Sequence, residues 1–236
     1  MSLWSELGAL VSRVSSRAFS GVLDAMRTVF EGDPATRRRV AFSIAMIALS
    51  AKMAKADGVV TQDEVRAFQQ IFHVPDDERR NVARLYDLAK RDVAGYEVYA
   101  RQMTNLCGGG EPGCPVMEDI LDGLFHIAKA DGVVHESEWV FLERVSEIFG
   151  FDEHGFRRIS SRHVDLGESD PYTVLGLRRG VPFAEVRARY RDLVRENHPD
   201  KLVARGVPEE FIVIAHDRMA AINAAYAAIE KEMAEA

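Results

Sequence analysis

No stretch of the chain is apolar enough to span a bilayer. The most hydrophobic run, residues 41–51, is interrupted by Ser43 and followed at once by Lys52, well short of the roughly eighteen apolar residues a spanning helix needs. The first residues lack the basic start, apolar centre and small-residue cleavage site of a secretory leader. Cysteine is scarce: Cys107 and Cys114 are the only two in 236 residues, too few for a zinc site of four cysteines. A reduced chain without structural disulfides, in the cytoplasm, is the expectation. The formal net charge is −7, which argues against a general nucleic-acid binder, since such proteins carry a basic face. There is no phosphate-cradling Gly-Lys-Ser/Thr loop and no nucleophile–base signature, so neither an enzyme nor a cofactor is expected. Val, Ile and Thr form no alternating runs, and no Asn-Gly or Asp-Gly turn joins two strand-like segments, which excludes a β architecture.

What remains reads as helix. With 47% hydrophobic and 28% charged residues, the chain is of ordinary globular composition, sufficient for one large domain or two small ones. The fold expected is all-α, in three parts: residues 1–32, 33–165 and 166–236. In the first part Leu3, Leu7, Leu10 and Val14, then Phe19, Val22, Met26 and Val29, recur at helical spacing, with Arg13, Arg17 and Arg27 on other faces. This amphipathic segment is expected to pack on the next domain. Peripheral contact with the inner membrane surface through residues 1–30 is the alternative.

Gly32 and Pro34 mark a turn. A helix rich in Ala, Ser and Met then runs over 36–56 and should let its neighbours approach closely. Further helices are expected over 76–92 and 94–106. The middle part contains a repeat: Ala-Lys-Ala-Asp-Gly-Val-Val occurs at 54–60 and again at 128–134. An apolar helical stretch precedes each copy, and a second one ending in Ile-Phe follows it, so the unit is helix, turn, helix. The glycine-rich loop from Cys107 to Cys114 separates the two halves, which should pack as a pseudo-symmetric bundle.

An EF-hand reading of this turn fails. Its glycine and the glutamate six residues later fit, but the first and third ligand positions hold Met53 and Lys55, then Ile127 and Lys129, where oxygen ligands are required. Turn-and-cap chemistry explains the same letters. Gly58 and Gly132 can end a helix in a left-handed conformation. Thr61 and Glu64 form a capping box, which His135 and Glu138 repeat with His in place of Thr. The repeated motif over roughly residues 36–163 resembles TerB-like domains, known from tellurite-resistance proteins and DjlA-type co-chaperones. That resemblance implies a helical bundle. It also makes Asp57, Glu64, Asp131 and Glu138 the positions matching acidic turn residues that are candidate cation ligands in some relatives.

A boundary falls near 163–169, where helical periodicity lapses. Beyond it, Asp170 is placed to cap a helix that has Pro171 at its first position and Gly176 as its stop. A second helix over 183–197 carries the apolar stripe Phe183, Val186, Tyr190, Leu193 and Val194. Arg187, Arg191 and Arg195 stand four apart on another row. From 178 to 197 six arginines face three carboxylates, a local net charge of +3. His198-Pro199-Asp200 must end this helix, because proline disfavours helical geometry in the residue before it; the tripeptide is expected in an exposed loop. A third helix from Pro208 carries Ala215, Met219, Ile222, Tyr226, Ile229 and Met233, which can zip against the second helix in an antiparallel pair.

The combination of Asp-Pro-Tyr-x-Val-Leu-Gly-Leu at 170–177, Glu-Val-Arg-x-x-Tyr-Arg-x-Leu at 185–193, His-Pro-Asp-Lys at 198–201 and Ile-Asn-x-Ala-Tyr at 222–226 resembles the J domain along its whole length. The order of parts, bundle first and J domain last, is similar to that of DjlA-type co-chaperones. What the resemblance implies is a co-chaperone that stimulates ATP hydrolysis and client capture by a DnaK-type chaperone. His198, Pro199 and Asp200 would be the essential loop, and Arg187, Arg191 and Arg195, with Lys201, would dock on an acidic surface of that partner. The TerB-like part would set client or location. A stress-response protein whose bundle senses an ion or ligand is the alternative. The chain departs from general DnaJ proteins in having no Gly/Phe-rich segment and no four-cysteine repeats. It departs from DjlA-type proteins in that residues 1–30 are amphipathic, not membrane-spanning.

Overall fold

The computed structural model describes residues 34–56, 68–69, 72–91, 95–104, 111–130, 132–163 and 170–235. The amphipathic segment read over residues 1–30, and the linker read over 164–169, lie outside the described residues. So do Asp57, Glu64 and Asp131. Among the described residues the regular structure is entirely helical, and no helix is long and apolar enough to cross a membrane.

Helix α1, Pro34–Ala56, is the centre of the bundle. From Val40 to Ala54 it is buried on every side, Ser43, Ser50 and Lys52 included. A helix apolar all round has no solvent face to present, so it becomes the axis on which others pack. The hydroxyls of Ser43 and Ser50 donate to the carbonyls of Arg39 and Met46 one turn back, which satisfies them without a partner from another helix. Around α1 lie α2 (Arg79–Arg91), α3 (Tyr96–Met103), α4 (Pro115–Ala128) and α5 (Glu136–Ile148). Helix α6, Glu153–Ser160, closes over α4. Within the described residues the helices expected over 76–92 and 94–106 are both present, as Arg79–Arg91 and Tyr96–Met103.

The second turn of the repeat behaves as its letters require. Gly132 has φ +101°, a conformation that only glycine adopts without strain. Glu138 returns to the start of α5, where its Oε2 accepts from the His135 amide at 2.9 Å. One expectation is corrected: the sequence points to a reduced chain without structural disulfides, but Cys114, buried at the N-cap of α4, is disulfide-bonded.

The C-terminal segment begins with α7, Pro171–Leu175. Asp170 caps it, accepting from the Thr173 amide and hydroxyl at 3.3 and 2.9 Å, and Gly176 ends it with φ +69°. Helix α8, Phe183–Glu196, packs along the long α10, Val213–Glu235. Their stripes meet as the sequence periodicity predicts: Val186, Leu193, Ile222, Ala225 and Ile229 form a small core with Tyr172, Val174 and Leu175. Tyr190 stacks on Tyr226 at 4.2 Å between ring centroids.

Between α8 and α10 the chain does something the periodicity did not show. His198 caps a short helix α9, Pro199–Arg205, so the tripeptide opens a helix where a plain loop was expected. Gly206, at φ +98°, ends α9, and a 3₁₀ turn over Glu209–Phe211 leads into α10. Leu202, Val207, Phe211, Ile214 and Ala215 do not join the small core; they belong to the large core of the bundle. Phe211 is the plug of this insertion. It is fully buried, edge-on to Phe42 of α1 at 5.3 Å and 4.4 Å from Phe72.

Phe211→Ala is therefore expected to cost about 3–5 kcal/mol, as truncation of a buried aromatic does. Met233→Ala, at the exposed end of α10, should stay within about 0.5 kcal/mol of the parent. Urea denaturation of both variants checks the contrast.

Candidate functional site

The tripeptide sits at the N-terminus of α9, on the outer surface. Pro199 occupies the first helical position, where a missing amide donor is harmless. The His198 Nδ1 accepts from the Asp200 amide at 3.2 Å, and the Asp200 carboxylate lies at the positive end of α9. The side chains of His198 and Asp200 are 57% and 90% exposed, while Pro199 is half-buried. The anchoring of this segment on the bundle thus leaves the tripeptide uncovered. Arg187, Arg191 and Arg195 on α8 and Lys201 on α9 are all exposed. Arg187 lies over the Phe183 ring at 5.2 Å, and Arg195 pairs with Asp192 on its own helix.

Directly behind this face is an ionic cluster that sequence reasoning missed. Asp119 and Asp122, one turn apart on α4, are fully buried. Arg218 of α10, also buried, reaches both: Nη1 lies 2.9 Å from Asp119 Oδ1 and Nη2 2.5 Å from Asp122 Oδ2. Arg218 Nη1 also donates to Asn197 Oδ1 at 2.8 Å. Asn197, buried in the position just before the tripeptide, donates in turn to the Leu193 carbonyl at 2.8 Å. Arg205, the last residue of α9, holds Asp119 in a two-pronged grip at 3.1 and 3.0 Å. Its remaining Nη1 donates to the Glu196 carbonyl at 3.1 Å. From the bundle side, Arg162 Nη1 reaches Asp122 at 2.9 Å and His163 Nε2 reaches it at 2.7 Å. Arg158 grips Glu118 at 2.8 and 2.9 Å. Farther along, His126 and Lys129 hold Asp217 of α10 at 2.5 and 3.5 Å. One signal in the sequence pointed here: two aspartates in a helix otherwise facing inward with Met117, Ile120, Leu121, Leu124 and Phe125, since a buried carboxylate requires a cation.

Burial alone would raise every carboxylate in this cluster. At Asp122 that penalty is overcome by Arg218, Arg162 and His163, so its pKa is lowered. At Glu118 it is overcome by Arg162 and Arg158, and the pKa falls well below the usual range. At Asp119 burial prevails over Arg218 and Arg205, with the Glu118 charge adding to it, and the pKa is raised. His163 is lowered, chiefly by burial and against the pull of Asp122. Its ring is stacked on Phe125 at 4.9 Å and its Nδ1 has no hydrogen-bond partner, so a second proton there would be unsupported.

Of the proposed cation ligands, only Glu138 is among the described residues, and it is engaged in the cap of α5. No group of three or more His, Cys, Asp or Glu side chains placed to hold a metal occurs among the described residues.

A helical bundle whose sequence repeats Ala-Lys-Ala-Asp-Gly-Val-Val defines the class: the chain belongs to the TerB family, described as tellurite resistance protein TerB, whose match covers residues 43–161. Over most of its length it is more particularly DjlA-like. It is 28% identical to the co-chaperone protein DjlA of Photobacterium profundum, over 83% of this chain and 79% of that protein. It is 27% identical to the DjlA of Aliivibrio fischeri, over 85% of this chain and 82% of that one. The DjlA of Coxiella burnetii is 28% identical, over 76% and 73%. No solved structure matches the chain.

Two predictions follow from the charges. Asp122→Ala takes from Arg218 and Arg162 one of the two buried carboxylates each faces, leaving them Asp119 and Glu118, and is expected to cost about 3 kcal/mol, the lower end for breaking a buried pair. Glu153→Ala, which removes an exposed pair with Arg157, should cost less than about 1 kcal/mol; urea denaturation compares them. In acid, the groups with lowered folded-state pKa values contribute stability that is lost as pH falls. For His163 the loss begins below about pH 6.5, where the unfolded state takes up the proton first; for Glu118 and Asp122 it begins below about pH 4. The raised pKa of Asp119 acts in the opposite sense, adding stability as pH falls toward about 4. The melting temperature should therefore fall from pH 7 to 5, and His163→Gln should flatten that part of the curve.

Proposed function

We propose that the chain is a co-chaperone, and that its C-terminal segment is a J domain that stimulates ATP hydrolysis and client capture by a DnaK-type chaperone. The observation that carries this reading is the exposed tripeptide, His198, Pro199 and Asp200, at the end of the arginine-bearing α8. The DjlA-like character of the chain supports it. Helix α8 presents Arg187, Arg191 and Arg195 on one side, and Lys201 continues the row onto α9. A basic row of this kind suits an acidic partner surface, because charge complementarity speeds and orients encounter. The tripeptide would then act on the ATP-bound partner and favour the state that hydrolyses; the chemistry stays in the partner. The TerB-like bundle, residues 33–165 in this reading, sets client or location, and residues 166–236 form the J domain.

Single-turnover ATP hydrolysis by DnaK, with the intact chain and with His198→Gln, is the test. Stimulation by the parent that is lost in the variant is the expected result. Equal stimulation by both would overturn the role of the tripeptide, and no stimulation by either, with the cognate DnaK, would overturn the J-domain function. Arg187→Ala, Arg191→Ala and Arg195→Ala combined should raise the half-saturating concentration and weaken its dependence on salt.

A further inference from the structure

The tripeptide is fastened from both sides, and both fastenings end on one carboxylate of the bundle. On the upstream side, buried Asn197 is held by Arg218, whose Nη1 lies 2.9 Å from Asp119 Oδ1. On the downstream side, Arg205 reaches back over the length of α9. It donates once to the Glu196 carbonyl, the last residue of α8, and twice to Asp119. Residues 196 to 205 are thereby closed into a ring whose clasp is Asp119.

The ring needs that clasp. Helix α9 has seven residues, far below the length at which a helix holds itself in water. Its one buried side chain, Leu202, enters the bundle core, while His198 and Asp200 stay exposed. With Asp119 removed, Arg205 loses both prongs of its grip and keeps only the Glu196 carbonyl, Arg218 keeps Asp122, and the capping bond of His198 and the Leu202 contact are what else holds α9. Apart from the Glu196 carbonyl at its end, α8 is held elsewhere: its buried side chains, Val186 and Leu193, pack in the small core with α7 and α10.

We infer that Asp119, a residue of the TerB-like bundle, is a positioning residue for the tripeptide, acting through Arg205 and Arg218. The bundle is then a working part of the J segment, in addition to any part it has in choosing client or location. This rests on the J-domain reading for its consequence in catalysis by the partner, but the positioning itself is observable without any partner.

The experiment uses the full chain with Asp119→Ala, and with Arg205→Lys as a milder variant that keeps the charge and loses the two-pronged grip. Hydrogen exchange is read first. The amides of Lys201, Leu202 and Gly206, which are bonded within α9 and its cap, should exchange about tenfold faster or more in Asp119→Ala, and less so in Arg205→Lys. The amides of α8 should be unchanged. Equal protection of α9 in parent and variants would overturn the inference, whatever the chaperone assay shows. If Asp119→Ala loses protection throughout the bundle, Arg205→Lys decides: faster exchange confined to α9 supports the clasp, and no change overturns it.

The second reading is stimulation of DnaK titrated with each variant. Loss of positioning lowers the maximum, about tenfold in Asp119→Ala, at an unchanged half-saturating concentration, because the arginine row still docks. A merely structural defect lowers the active fraction instead; it raises the half-saturating concentration and leaves the maximum intact, and that outcome would overturn the inference. A parent chain that fails to stimulate would remove the J-domain reading alone, leaving the exchange result to stand or fall by itself.

Discussion

Two buried aspartates on α4 must be neutralised, and the arrangement of everything C-terminal to α6 answers to that requirement. Asp119 and Asp122 have no access to water, and an isolated carboxylate in such a place would cost several kcal/mol. Their partners come from three elements: Arg162 from the segment after α6, Arg205 from α9 and Arg218 from α10. In this seating Asp119 meets Arg205 and Arg218, and Asp122 meets Arg162 and Arg218. The cluster therefore specifies one docking geometry more than it adds stability, since apolar side chains of similar volume would pack at least as well.

Apolar packing reinforces that geometry. Phe211 fits between Phe42 and Phe72, and Leu202 and Val207 enter the same core. Gly123 shows how closely three helices meet: a Cβ there would stand 2.6 Å from the Met46 side chain of α1 and 2.8 Å from Ile214 of α10. With one flank of the segment after α8 committed to the bundle, the other flank is turned outward. That flank carries His198 and Asp200, beside the arginines of α8. Exposure of the tripeptide is thus a consequence of what the other flank of this segment must bury.

Much of the fold was legible because it obeys short-range rules. The axis helix was readable from its run of small apolar residues, α7 from Asp170, Pro171 and Gly176, and the α8–α10 pair from two stripes with a period near 3.6. The turn after α4 was readable from Gly132 and Glu138. Other features escaped these rules. Phe211, Ile214 and Ala215 fall on a helical stripe with Met219 and Ile222, yet they serve a different core, because periodicity tells which face is apolar and not what covers it. Helix α9 was hidden behind Pro199, whose ban on helix applies to the residues before it and not to those after. The state of Cys114 depends on a meeting in space that a count of two cannot settle.

By itself, then, the sequence determined the all-helical character of the described residues, the turn after α4 with its glycine and return glutamate, and a basic helix stopped by His198, Pro199 and Asp200. Each of these follows from neighbours within a few residues, where backbone sterics, capping and side-chain period act. Only the tertiary structure decided that Asp119 and Asp122 face Arg205 and Arg218 across 86 and 96 residues of chain, and that one of those carboxylates fastens both ends of the tripeptide. A charge on an apolar helix announces that a partner is needed; which distant arginine supplies it is set by how the helices pack.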